Sequence, residues 1–326
     1  MRFVANGPLV PDELLVARDN GDVIFFCGAG VSQQEAHLPS FVELGGKVIE
    51  ELGAAIKSPA RTLFSRAKDT KHHIPGVGGL VVADRIFSLL EREFETNDVR
   101  AAVAKAIKPV GRPALGAHRD ILTLATSRAG VTRLVTTNFD LLFEKCNRTL
   151  KVSGPPHLPD PRSDKEFRGV VHLHGRVDKT YTRPEDDEFV VSGADFGRAY
   201  LSDGWATRFI QALLARYQVV FIGYAADDPP VQYLLEALNL RAGAPARMYA
   251  FQGDSGDRGL RRPSGKVVAS ARSPLMIVRG FRPFGILSQA GLNARGTSMA
   301  GTIRCLRARR LARKPSTHTA GVASPI

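Results

Sequence analysis

Four short groups of residues in this chain have the types and spacing that chemistry requires. They are Gly28-Ala29-Gly30-Val31-Ser32, Thr136-Thr137-Asn138-Phe139-Asp140, His172-Leu173-His174-Gly175 and Gly223-Tyr224-Ala225. A Gly-x-Gly turn lets backbone N–H groups approach a phosphate, and a helix starting there adds partial positive charge. The same turn also serves as a plain strand-to-helix connection. It lacks the third glycine of the dinucleotide fingerprint, so an ordinary dehydrogenase site is not expected. Asn138 and Asp140 flank Phe139. An amide and a carboxylate so placed hold a sugar hydroxyl and a water, or simply cap the next helix. His174 ends an apolar run, and Gly175 beside it leaves space for a ligand. A histidine with a pKa near neutrality suits proton removal from a hydroxyl or a water. His172, two residues earlier, shares a strand face with it, and a structural role stays open for one of the two. A metal held by both histidines lacks a third ligand at a persuasive spacing, so no metal is expected.

Strands and helices must bring these groups together. Residues 22–27 form an uninterrupted apolar run, the pattern of a buried parallel strand. Residues 131–136, 169–173, 218–222 and 247–251 read as further strands. Helices are expected after Gly30 and over 42–52, 82–94, 99–107, 118–128 and 141–146. Another follows at 231–240, opened by Asp227-Asp228-Pro229-Pro230, an acidic cap with proline in the first turn. Residues 53–79 are mixed, with a loop at 76–79, and 153–165 read as loop. A helical module over about 42–115 thus separates the first two strands. Strands alternating with helices imply an α/β fold with a Rossmann-like, mostly parallel sheet covered on both faces. Ligands of such sheets bind beyond the carboxyl ends of the strands. Gly28 to Ser32, Asn138, His174 and Gly223 all fall at those ends.

Gly-Ala-Gly-Val-Ser, Thr-Thr-Asn-Phe-Asp and Leu-His-Gly, in this order, resemble the three signature motifs of sirtuins. Gly223-Tyr224-Ala225 resembles the sirtuin Gly-Thr-Ser segment near the NAD phosphates and ribose. The resemblance covers residues 20–251. Phe221-Ile222-Gly223-Tyr224 followed by Asp228-Pro229 is similar to the branch found in bacterial antiphage defence, many members of which hydrolyse NAD. The resemblance implies NAD as substrate in a sirtuin-like domain at 20–252. It implies that Asn138 places the water or ribose at the scissile bond, that Asp140 binds the nicotinamide-side ribose, and that His174 is the general base. Gly28, Ala29, Gly30 and Ser32 would cradle the pyrophosphate, with Thr137, Gly223 and Tyr224 completing the nucleotide site. There are departures. The two Cys-x-x-Cys pairs of protein-deacylating sirtuins are missing. Their Asp-Phe-Arg is Ser40-Phe41-Val42 here, their Thr-Gln-Asn glutamine is Thr137, and the serine of Gly-Thr-Ser is Ala225. An NAD hydrolase is therefore expected, with NAD-dependent protein lysine deacylation and a non-catalytic NAD- or ADP-ribose-sensing subunit as rivals. A homo-oligomer or a co-encoded defence partner is expected.

The chain has 326 residues and a net charge of +13. Residues 254–326 contain fourteen Lys and Arg against Asp254 and Asp257, so they carry +12 of that charge. The body is nearly neutral, and binding to nucleic acid is expected only through this tail. Residues 253–326 lack periodicity. They read as a disordered basic arm or the product of a reading frame shifted near codon 253, in preference to a divergent folded cap, and are expected to hold no site residue. Three scattered cysteines suggest neither disulfides nor zinc. The longest apolar run is too short to span a membrane and no secretory signal is visible, so a cytoplasmic protein is expected.

Overall fold

The computed structural model describes residues 10–68, 83–224, 248–253, 268–269 and 275–281. Strand β1 (Val23–Cys27) is buried at every position and lies in the middle of the sheet. The other strands are β2 (Arg133–Thr136), β3 (Val152–Ser153), β4 (Gly169–His172), β5 (Gln218–Ile222), β6 (Met248–Gly253), β7 (Val268–Ala269) and β8 (Leu275–Phe281). Their order is β3-β4-β2-β1-β5-β6-β8-β7. The described pairings are parallel except β7 with β8. From β1 the chain builds β2, β4 and β3 on one side, then returns to lay β5 on the other. The order reverses at β1, so a crevice opens beyond the carboxyl ends of β1 and β5.

The helices are α1 (Asp12–Asn20), α2 (Gly30–Ala36), α3 (Phe41–Glu51), α4 (Pro59–Lys68), α5 (Ala83–Glu93), α6 (Thr96–Ala106), α7 (Gly116–Leu124), α8 (Leu142–Cys146), α9 (Gly193–Gly197) and α10 (Trp205–Arg216). Side chains alternate across the sheet as the strand period dictates. Phe25, Leu134 and Val170 meet Leu14 of α1, Ile121 of α7 and Phe143 of α8. Ile24, Phe26, Val135 and Phe221 meet Phe209, Ile210 and Leu213 of α10. Helices α3 to α6 form the inserted module with a core of their own, including Val48, Ile86, Phe87 and Val103. Each large apolar side chain buried this way stabilises by roughly 1.5–3 kcal/mol.

This is the α/β, Rossmann-like, mostly parallel architecture expected, and the five expected strands are β1, β2, β4, β5 and β6. The helix expected over 118–128 stops at Leu124, because Thr126 bridges antiparallel to Thr132 across a tight turn. Strand β3 ends at Ser153, the first residue of the stretch read as loop, and α4 lies inside the stretch read as mixed. The sheet also continues into the stretch read as unpatterned, through β7 and β8. Leu275-Met276-Ile277-Val278 is only four apolar residues long and flanked by Arg, Gly and Ser, which hides it in the sequence. The helix expected at 231–240, its start at 227–230, the loop at 76–79 and the rest of the tail lie outside the described residues. No helix among the described residues is long and apolar enough to cross a membrane.

Candidate active site

The turn after β1 and the turn after β5 are joined. Gly28 N–H donates to the Ile222 carbonyl at 2.9 Å and Gly30 N–H to the Gly223 carbonyl at 2.8 Å. A Cβ on Gly223, whose φ is +75°, would come within 2.6 Å of the Val31 nitrogen. These glycines therefore let two loops touch, and the Gly28 and Gly30 amides are committed to the Ile222 and Gly223 carbonyls rather than to a ligand. Between them Ala29 borders the cleft, as do Ser32, Thr137 and Tyr224. The Thr137 and Tyr224 hydroxyls lie 2.7 Å apart, and Tyr224 O–H donates to the Cys27 carbonyl at 3.2 Å. Cys27 itself is buried, and burial, with the Asp140 charge adding, pushes its thiol far above the usual range. It stays protonated and is no nucleophile.

Asn138 and Asp140 follow β2 and line the cleft. Asn138 Nδ2 donates to the Gly28 carbonyl and to Ser32 Oγ, both at 3.1 Å. The Gly28 carbonyl can only accept, which fixes the orientation of the amide. Both Nδ2 protons are committed, so Oδ1 is the atom left for a ligand. Asp140 Oδ2 accepts from Ser32 Oγ at 2.7 Å, and Oδ1 accepts from Leu142 N–H at 3.0 Å, in the first turn of α8. Asp140 thus ties the turn after β2 to the first residue of α8, whose N-cap is Leu141, and also borders the cleft.

The two histidines have separate partners. Strand β4 ends at His172, and beyond it the chain no longer keeps the rings on one face. His172 Nδ1–H donates to the Asn138 carbonyl at 2.8 Å, and Nε2 lies 3.0 Å from Glu144 Oε1. Burial opposes its charge, yet the Glu144 carboxylate and these bonds outweigh burial and raise its pKa. The Glu144 carboxyl is lowered in turn: burial resists, and the His172 charge prevails. His172 is the structural member of the pair, holding the Asn138 backbone in place. His174 borders the cleft, with Nε2 2.8 Å from the Tyr200 hydroxyl and its ring edge-on to Phe196 at 5.3 Å. Burial pushes its pKa down to about 3, not near neutrality as the sequence alone suggests. Burial also pushes the Tyr200 phenol up, so it remains a hydroxyl. The space beside Gly175 is not open to a ligand. Its φ is +88° and a Cβ there would overlap the Glu188 carbonyl.

The cleft encloses about 700 Å³ including its open mouth. Its apolar wall comes from the inserted module: Phe41 and Leu44 of α3 and Ile107 at the end of α6, with Phe139 beside them. Ser40 caps α3 in a reciprocal capping box with Glu43, which aims Phe41 at the cleft. Phe196 and Tyr200 are the residues that sequence reasoning misses. They stack on one another at 5.9 Å from α9 and the π-helical turn that follows it, Arg198–Ser202. The available signal is Ser192-x-x-Asp195, a capping box that starts a helix carrying two aromatics four residues apart. Among the described residues there is no group of three His, Cys, Asp or Glu placed to hold a metal ion.

Residues 132–267 match the model of the SIR2-like domain family. That span takes in β2, β4 and β5, the strands whose ends border the cleft. It is 32% identical over 268 residues, or 79% of this chain, to a Sinorhizobium fredii (strain NBRC 101917 / NGR234) protein named uncharacterized protein y4cA. The chain spans only 21% of that relative's length. It is also similar to a crystal structure of a Sir2 homolog–NAD complex, with 15% identity, a TM-score of 0.43, and 94% of this chain and 96% of that one covered.

Proposed function

We propose that the cleft binds NAD and that the protein hydrolyses the nicotinamide N-glycosidic bond, releasing nicotinamide and ADP-ribose. The observation that carries this reading is the convergence of Asn138, Asp140 and His174 on one cleft, from two strand ends beside the β1–β5 switch point. The family match over 132–267 supports it. In the reaction the electron pair of the bond leaves with nicotinamide, and water adds its oxygen to C1′ and gives up one proton. Asp140 binds the ribose hydroxyls and sets negative charge near the cationic sugar. Asn138 accepts an O–H hydrogen from water or ribose at Oδ1, holding the nucleophile on line. His174 takes the water proton. A base held at a pKa of about 3 stays unprotonated at every working pH. It accepts the proton only as the C1′–O bond forms and that proton becomes strongly acidic. Ala29, Thr137, Gly223 and Tyr224 border the diphosphate, while Gly28 and Gly30 hold the two turns together. The apolar wall excludes other nucleophiles.

The functional unit on this reading is residues 20–252, and the basic segment 253–326 supplies no site residue. On this reading, supported by the resemblance to the antiphage branch, the activity serves prokaryotic defence by NAD depletion, in a homo-oligomer or with a co-encoded partner. Purified protein incubated with NAD and an acetylated peptide tests the reading. Chromatography should show nicotinamide and ADP-ribose in equal amounts, and mass spectrometry an unchanged peptide. Acetyl transfer to ADP-ribose would mean a deacylase, and calorimetric NAD binding without turnover would mean a sensing subunit.

A further inference from the structure

Ser32 Oγ has three polar neighbours: Asp140 Oδ2 at 2.7 Å, Asn138 Nδ2 at 3.1 Å and His118 Nε2 at 3.2 Å. A hydroxyl has one proton and two lone pairs. The Asp140 carboxylate can only accept, so the serine proton lies on it. Asn138 Nδ2 can only donate, so it fills one lone pair. The other lone pair faces His118. Were Nε2 bare, two lone pairs would confront each other inside a site where His118 is 0% and Ser32 2% exposed. Nε2 therefore carries a hydrogen. His118 Nδ1 is buried and has no hydrogen-bond partner among the described residues. A proton there would be an unsatisfied cationic donor beside the Phe143 ring, which meets the imidazole edge-on at 4.8 Å.

We infer that His118 is a positioning residue of the cleft: as its neutral Nε2–H tautomer it fills the last lone pair of Ser32 and locks the serine proton onto Asp140. Burial, which lowers the pKa of His118 against the pull of Asp140, Glu35 and Glu144, agrees with a neutral ring. The ring is placed by the first turn of α7, whose Ala117 N–H is held by Glu35 Oε2 at 2.7 Å. Two consequences follow. Ser32 has no valence left, so it is neither a nucleophile nor a phosphate ligand. Its task is to fix the spacing between the Asn138 amide and the Asp140 carboxylate. The step this spacing serves rests on the NAD reading above; the tautomer does not.

The test has two arms on the full-length chain. In the first, ¹⁵N NMR of the histidine side chains at pH 7, assigned by the loss of one signal in His118→Gln, reads the protonated nitrogen. A single Nε2–H tautomer is expected, drifting toward a mixture in Ser32→Ala where the acceptor is gone. An Nδ1–H tautomer, or signals indifferent to Ser32→Ala, overturns the inference whether or not NAD is cleaved. The second arm compares kcat for nicotinamide release. His118→Leu should lower kcat by about 10- to 100-fold, the order expected for a misplaced reacting group. His118→Gln, whose amide can donate to Ser32, should recover most of it. In a Ser32→Ala background His118→Leu should add little. A merely structural histidine would lower the melting temperature in both variants alike and leave kcat of the folded protein unchanged, which contradicts the inference. If the parent releases no nicotinamide, the proposed function fails and the first arm still decides.

Discussion

Gly30 donates its amide hydrogen to the Gly223 carbonyl at 2.8 Å, so two turns nearly two hundred residues apart form one joined edge of the cleft. The contact requires glycine at 223, where φ is +75° and a Cβ would press on the Val31 nitrogen at 2.6 Å. Gly223→Ala should destabilise the protein by about 1–3 kcal/mol through backbone strain and separation of the turns. Urea unfolding checks this; a midpoint unchanged from the parent would contradict the close approach.

Stability should fall in acid in a way traceable to His174. Its pKa is pushed down to about 3 from an ordinary 6.5. Between those values the unfolded chain binds a proton that the folded protein refuses. The contribution is therefore complete above 6.5 and is lost as pH falls, at up to about 1.4 kcal/mol per pH unit. His118, lowered by burial, acts in the same sense. His172 is raised, so its contribution is present in acid and is lost as pH rises through its folded value. His174→Phe should flatten the decline in melting temperature between pH 7.5 and 5. Parallel curves for parent and variant would show that His174 is not held neutral.

Tyr200 is expected to matter through one atom. Tyr200→Phe keeps the stack on Phe196 at 5.9 Å and removes the hydroxyl 2.8 Å from His174 Nε2. A buried nitrogen left without a partner costs about 1–3 kcal/mol. A lower melting temperature together with slower nicotinamide release is expected, and no change in either would remove Tyr200 from the site.

Chelation should change neither melting temperature nor NAD cleavage. His172 is engaged by Glu144 and the Asn138 carbonyl, and His174 by Tyr200, so the pair is not free to share an ion. Stoichiometric zinc in elemental analysis of the purified protein would contradict this assignment.

Much of this arrangement is legible in the sequence, for a physical reason. β1 and β5 are unbroken apolar runs ending at glycine, as strands buried on both faces must be. Asn138, Asp140 and His174 are legible because each lies just past the end of such a run. His118, Phe196 and Tyr200 are not, since His118 backs Ser32, Tyr200 backs His174 and Phe196 borders the cleft from helical turns brought there by tertiary packing; the capping box at Ser192 announces a helix but not where its aromatics point. The functions of Gly28, Gly30 and Gly175 are misread for a related reason. A glycine marks a close approach without saying whether a ligand or another stretch of backbone makes it, and here Ile222, Gly223 and Glu188 do.

The most direct test compares the parent with Asn138→Ala and His174→Ala in a chromatographic assay of NAD cleavage, with circular dichroism confirming that all three are folded. The parent should release nicotinamide and ADP-ribose, and each variant should be slower by about 10²–10⁴-fold, the usual loss when a proton acceptor or water-positioning group is removed. Near-parent turnover in either folded variant would contradict the assignment of the cleft.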